Sequence, residues 1–388
     1  MHDDTFIAEY GKNVKALEGF LLPNVSLAAD AGADLVKKLK RILKKTKASK
    51  VFVVSGIPAE KLSVREAFDG AGADLTFFTS FSPNPKLEEI ELGVSEFEKS
   101  EAGLVIGLGG GSAIDTAKCI RHFSGKEVPL LAIPTTAGTG SDATKFAVYY
   151  KEGVKQSLES ENVLPDYVLL CGDLIKTLPP YQRKCTFLDA FCQACESAFG
   201  RRRTEESLKL AFTVIEAMSF IKDFYPAGKG LGELDGELEK VSLPSVYNYA
   251  LLCAYCSGRS INITRTAAPH AMSYKLSSMK NLPHGHAVAV CFGTVFERLA
   301  EAFVTEPSHD GSIKEVLQRI SDLSFGVSPA EFSDKFRAFL RSIEINEPEV
   351  SKEEAEVLAS SVNAQRLANN PLVFTQEELV PMYLKLGG

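Results

Sequence analysis

The sequence predicts an α/β N-terminal domain with a parallel sheet, joined to an all-α C-terminal domain. Three observations predict it. Short apolar runs alternate with helical periodicity through the first half, as in a parallel sheet covered on both faces. After Pro179-Pro180 the strand signals stop, and helical spacing of apolar residues continues to the C-terminus. At 388 residues the chain is too long for one ordinary core and suits two domains. The expected division is 1–180 and 181–388.

The strands follow in order. Val51-Phe-Val-Val54 is a β-branched run ending at Ser55-Gly56, and Leu75-Thr-Phe-Phe78 is the second. A charged helix from Lys86 to Lys99 carries apolar Leu87, Ile90, Leu92 and Val94. Leu104-Val-Ile-Gly-Leu108 is the third strand; a helix follows through Ala113, Ile114, Ala117 and Ile120. Val128–Ile133 and Tyr167–Leu170 complete the set. Helices are expected at 183–199, 204–223, 239–262, 286–303, 313–323, 329–342 and 351–361, with a Gly/Glu-rich loop at 228–236 between them.

Composition excludes several classes of function. The chain is 45% hydrophobic and 24% charged with a net charge of -7, so no basic stripe exists to neutralise nucleic-acid phosphates. No apolar run is long enough to span a bilayer, and the acidic N-terminus lacks a secretory h-region; the expected setting is the cytoplasm. Arg201-Arg202-Arg203, followed by Thr204-Glu205-Glu206, reads as a solvated helix start. Two CxxC pairs, Cys192/Cys195 and Cys253/Cys256, lie in apolar helical stretches and read as small buried hydrophobes rather than a zinc knot.

Two loops carry phosphate-binding chemistry. Gly109-Gly110-Gly111-Ser112 stands between a buried strand and a helix bearing Asp115 and Lys118. Consecutive glycines admit a diphosphate to the backbone, and a helix N-terminus supplies N–H donors and a positive dipole. Pro134-Thr135-Thr136 through Ser141 follows the next strand, so both loops belong at the carboxyl ends of neighbouring strands, where ligands of open α/β sheets bind. Together they predict dinucleotide binding.

Histidine is concentrated elsewhere. His270, His284 and His286 are half of the chain's six histidines, and imidazole is both a metal ligand and a proton carrier near neutrality. The competing reading is helix caps and a polar core.

Four motifs in order, Gly109–Lys118, Pro134–Ser141, Leu188-Asp189-Ala190 and Pro283-His284-Gly285, resemble the iron-containing (group III) alcohol dehydrogenases over nearly the whole chain. The resemblance implies a dinucleotide-binding domain, a helical metal- and substrate-binding domain, and reversible hydride transfer between a nicotinamide and an alcohol or aldehyde in the cleft between them. It implies a divalent ion, zinc or iron, on Asp189, Gln193, His270 and His284, with Gln193 standing where the family pattern has histidine. Residues four apart share a helical face, so the position is retained, while an amide oxygen is a neutral, harder donor than imidazole. Loss of the metal is the competing reading. Tyr274 stands where many relatives carry a further histidine; its expected role is proton delivery beside the ligand His270, against simple packing. His286, two helical positions beyond His284, points about 200° away and is left out of the metal shell.

The resemblance also places Gly56, Asn84, Gly109, Gly110, Gly111, Ser112, Asp115, Thr135, Thr136, Ser141 and Lys155 along the cofactor. Ser55-Gly56 offers no carboxylate to repel a 2′-phosphate, which favours NADPH, with NADH possible. Arg259 and Arg265, leading into His270, suit an anionic substrate held bidentately; the competing reading is a helix-surface arginine. The runs 262–275 and 188–197 are similar to the phosphonoacetaldehyde reductase branch, which forms 2-hydroxyethylphosphonate. Partners are then a small aldehyde or alcohol and further copies of the chain, as a homodimer or larger; no nucleic acid or membrane is expected. The alternatives are a cyclising synthase of the dehydroquinate synthase-like class and a metal-free dinucleotide-binding protein without enzymatic activity.

Overall fold

A computed structural model describes residues 3–56, 65–305 and 311–386. In chain order the elements begin α1 (Asp4–Glu18), β1 (Val25–Ala28), α2 (Ala33–Thr46), β2 (Lys50–Ser55), α3 (Arg65–Ala71), β3 (Asp74–Phe78), α4 (Leu87–Ser100) and β4 (Leu104–Gly109). Then come α5 (Gly111–Ser124), β5 (Leu130–Pro134), β6 (Phe146–Lys151), β7 (Val154–Glu159) and β8 (Tyr167–Cys171). The helices that follow are α6 (Pro180–Phe199), α7 (Glu205–Ile221), α8 (Leu231–Lys240), α9 (Val246–Thr264), α10 (Ala268–Lys280) and α11 (His284–Ala300). The last are α12 (Gly311–Phe325), α13 (Pro329–Ser342), α14 (Lys352–Ser360), α15 (Ala364–Leu367) and α16 (Gln376–Leu384).

The chain divides into two compact units, Met1–Leu178 with Gly232–Gly258, and Pro179–Leu231 with Arg259–Gly388. Residues 232–258 therefore group with the α/β unit, whereas the sequence division assigns everything beyond 180 to the helical one. Hydrogen bonds explain why. Asn248 Oδ1 accepts from Gly172 N at 2.6 Å while its Nδ2 donates to the Ala28 carbonyl at 3.1 Å, and the Tyr10 hydroxyl donates to the Pro244 carbonyl at 2.9 Å.

The first unit holds a six-stranded sheet in the order β1-β8-β5-β4-β2-β3, every pair parallel. Alternate side chains of one strand enter different cores: Val51 and Val53 join one, Phe52 and Val54 the other. Strand order runs outward one way through β2 and β3 and the other way through β4 and β5, so the switch point lies between β2 and β4. Sequence reading omits β1 and the hairpin β6–β7, whose two-residue turn Glu152-Gly153 has positive φ at both positions.

The second unit is helical. The long helix α6 is buried along nearly its full length; Phe191 packs on Phe292 and Phe336, Phe199 packs on Phe292, and Phe292 in turn meets Phe332, joining α6 to α11 and α13. The expected helix at 286–303 is present as α11. Two differences stand out. The expected loop at 228–236 is largely α8, in the first unit, because Leu231, Leu234 and Leu238 recur at helical spacing and are buried despite the glycines. α10 is missed altogether; Pro269 sits in its first turn, where a missing N–H costs nothing. Among the described residues no helix is long and apolar enough to cross a membrane. All eight cysteines are free and buried.

Candidate metal and substrate centre

α6 carries the first half of the centre. Asp189, Gln193 and Glu196 stand at i, i+4 and i+7, hence on one face, and all three are buried. His270 comes from the first turn of α10 and His284 opens α11. One donor atom each from Asp189, His270 and His284 lie within 4.8 Å of one another. Asp189 Oδ1 is 3.2 Å from His270 Nε2 and 4.0 Å from His284 Nε2. Gln193 Nε2 donates to the same Asp189 oxygen at 3.1 Å; half a turn of the amide presents its oxygen instead.

Close helix packing makes this possible. A Cβ on Gly285 would stand 1.9 Å from the Cys185 carbonyl oxygen and 3.0 Å from Asp189 Cβ, so only glycine lets the start of α11 lie against α6. Glu196, which sequence reading missed, then fixes the imidazole. Its Oε1 is 2.5 Å from His270 Nδ1, and its Oε2 accepts from Ala267 N at 2.5 Å. With Nδ1 engaged, Nε2 is the ring nitrogen turned to Asp189, an outer carboxylate support common around metal-ligating histidine. The signal was in the helical spacing from Asp189.

Electrostatics agree with cation binding. Burial disfavours charge on His270, but Glu196 and Asp189 override it and push its pKa up to about 10. Asp189 is lowered although burial opposes this, because His284 and His270 face it. Two imidazoles and one carboxylate form a donor set that suits zinc or ferrous iron, and the His284 side chain is 39% exposed, so one side stays open. The residues present fit such an ion.

The remaining predicted residues fall as follows. The Tyr274 ring lies parallel to that of His284, with centroids 5.8 Å apart. Its hydroxyl accepts from Arg366 Nη1 at 2.9 Å, a partner sequence reading missed. Arg259 is paired with Glu206 at 3.1 Å; Arg265 is exposed, at positive φ just past the end of α9. Both ring nitrogens of His286 are engaged, with the Tyr181 hydroxyl and the Asn346 carbonyl, each at 2.7 Å.

In the first unit Gly56, Gly109 and Thr135 stand at the carboxyl ends of adjacent strands β2, β4 and β5. Gly110 and Gly111 open α5, whose N-terminus has no side-chain cap. A Cβ on Gly111 would meet Thr139 Oγ1 at 2.9 Å, so the two loops lie against each other. Ser112 Oγ donates to the Pro83 carbonyl beside exposed Asn84. Thr135 N donates to the Gly109 carbonyl at 2.9 Å; Thr136 faces Gly110 and Ser141 faces Gly111. Asp115 is buried: Oδ2 accepts from Val148 N at 3.0 Å, while Oδ1 lies 4.0 Å from the Lys118 ammonium. Burial raises the Asp115 pKa, and Lys118 and Lys155, the latter on β7, are among the charges that oppose the rise. Bare glycine backbone and an uncapped helix start fit a polar phosphate ligand.

The family model described as iron-containing alcohol dehydrogenase matches residues 31–171, and that of the Fe-containing alcohol dehydrogenase family, C-terminal, matches 185–386. The chain is 26% identical over 385 residues to a sulfoacetaldehyde reductase of Bilophila wadsworthia, covering 90% of this chain and 95% of the relative. It is 25% identical over 307 residues to a phosphonoacetaldehyde reductase of Streptomyces viridochromogenes, covering 72% and 74%. The fold matches that of sulfoacetaldehyde reductase from Bifidobacterium kashiwanohense, solved in complex with NAD+, with a TM-score of 0.78 at 21% identity over 94% and 97% of the two chains. The chain belongs to the iron-containing alcohol dehydrogenase family and is an oxidoreductase acting on CH–OH groups.

Proposed function

We propose that the protein is a metal-dependent, NADPH-linked reductase of a small anionic aldehyde, of which phosphonoacetaldehyde and sulfoacetaldehyde are the leading candidates. The observation that carries this reading is the buried Asp189/His270/His284 cluster, with donors within 4.8 Å and one open side. Asp189, His270, His284 and the Gln193 amide would hold the ion. When bound, a divalent ion supplies Lewis-acid polarisation of the carbonyl and a nicotinamide supplies hydride.

The chain's own residues do the rest. Glu196 holds the His270 ring so that Nε2 stays aimed at the cluster. Tyr274, whose oxygen accepts from Arg366, would supply its phenol proton to a nascent alkoxide. The backbone of Gly110 and Gly111, with Thr136 and Ser141, receives the diphosphate at the start of α5. Ser55-Gly56, ending β2 without a carboxylate, admits a ribose phosphate.

Steady-state oxidation of NADPH and NADH against phosphonoacetaldehyde, sulfoacetaldehyde, lactaldehyde and propionaldehyde, with and without chelator, tests the reading. Charged aldehydes are expected to have the higher kcat/KM, and chelation to abolish turnover. A preference for uncharged aldehydes overturns the anionic substrate. Full activity in chelator overturns the metal, and turnover without net NADPH consumption points to the cyclising synthases. Undiminished turnover in Tyr274→Phe removes the phenol from proton delivery.

A further inference from the structure

Among the described residues, Arg366 is the guanidinium linked to the metal donors through a chain of ring contacts. It lies in α15 and donates through Nη1 to the Tyr274 hydroxyl at 2.9 Å, with Cζ 4.8 Å from the centre of the same ring. That ring is parallel, within 3°, to the imidazole of His284, whose Nε2 is 4.0 Å from Asp189. One aromatic ring thus separates a cation from a metal-site imidazole.

Its charge balance differs from that of Arg259 and Arg337. Arg259 is neutralised by Glu206, and Arg337 by Glu297 and Glu347. Among the described residues no carboxylate pairs with Arg366, although it is half-buried. The bond to Tyr274 uses one of five guanidinium N–H donors. Donors remain on this partly buried cation for an anion, and a guanidinium fork matches a tetrahedral oxyanion bidentately.

We propose that Arg366, braced by Tyr274, is the specificity-determining residue that receives the oxyanion head group of the substrate, a phosphonate or sulfonate one short carbon chain away from the aldehyde. The inference rests on the anionic-aldehyde reading above and moves the anion from Arg259 and Arg265 to Arg366. Tyr274 then serves both ends of the substrate: its ring packs on His284 and its oxygen fixes the guanidinium. Selectivity for charge and proton delivery are coupled through one side chain.

The test uses the zinc-loaded enzyme and its Arg366→Gln and Arg366→Met variants, with melting temperature and zinc content checking that each is folded and loaded. kcat/KM is measured for phosphonoacetaldehyde, sulfoacetaldehyde and propionaldehyde, and dissociation constants for ethylphosphonate and ethanesulfonate by calorimetry. The charged-to-neutral kcat/KM ratio is expected to fall by about 10- to 100-fold, carried mainly in KM, with the binding of both anions weakened in parallel. Whichever anion the wild type binds tighter identifies the head group. A wild type that favours charged aldehydes, with either folded variant keeping that preference, overturns the assignment to Arg366 and leaves the anionic reading standing. A wild type that favours propionaldehyde overturns the reading itself.

Discussion

At the scale of single residues, the centre is governed by a histidine that two carboxylates hold in its charged form. The His270 pKa is raised from 6.5 to about 10 in the metal-free chain, so a cation must displace its proton. Zinc affinity should therefore weaken as the pH falls, roughly tenfold per unit below pH 9, with about one proton released on binding. Calorimetry in two buffers of different ionisation enthalpy reads that proton directly; a pH-independent affinity would exclude the link. The stability sign follows from the same shift. A raised folded pKa contributes stability that is complete below 6.5 and lost as the pH rises through about 10, so chelated protein should melt lower at pH 10 than at pH 7. Gln193→His adds an imidazole beside Asp189 and should tighten zinc retention on dialysis; equal retention would mean that position 193 does not reach the ion. Asp189, His270 and His284 were legible because their motifs survive in short, recognisable runs. Arg366 was not: it stands 92 residues from Tyr274, in a stretch without a motif, and only the fold brings the two together.

At the scale of elements, the decisive event is the approach of α11 to α6. It depends on Gly285, because a methyl there would overlap the Cys185 carbonyl at 1.9 Å. Gly285→Ala should force the helices apart, at a cost of about 1–3 kcal/mol in stability and with loss of zinc stoichiometry. Bound zinc near one equivalent in a folded Gly285→Ala protein would refute this packing argument. In the first unit the corresponding brace is Lys118, wholly buried, whose ammonium donates to the Thr144 and Phe146 carbonyls at 2.7 Å each. Burial pushes its pKa down to about 8, while nearby Asp115 and Asp142 favour the cation. Lys118→Met leaves both carbonyls buried without a donor and should cost about 3 kcal/mol, read as a lower denaturant midpoint. Apolar strands such as β2 and β4 were legible from composition alone. The hairpin β6–β7 was not, since its register comes from a Glu-Gly turn and partly polar strands rather than an apolar run.

At the scale of the whole molecule, the chain passes between its two units three times, and each unit holds one set of candidate ligand-binding residues entirely within itself. Length and periodicity made the change from α/β to helical legible, but not the return of 232–258 to the first unit. That return rests on a few buried hydrogen bonds from Asn248 and Tyr10, which leave no periodic trace. Because the two residue sets are separate, their ligands should protect separate peptides in hydrogen exchange. Zinc should slow exchange in 185–200 and 267–290, where backbone opening would separate Asp189, Glu196, His270 and His284. NADPH should slow it in 105–145, around the two loops that follow β4 and β5. Each ligand binds only the folded chain, so at a hundred times its dissociation constant each adds about 2.7 kcal/mol. A chelator should withdraw the zinc share alone, lowering the melting temperature while leaving NADPH protection of 105–145 in place. Zinc protection that fell instead on the glycine loops would place the ion in the wrong unit and remove the basis of the proposed chemistry.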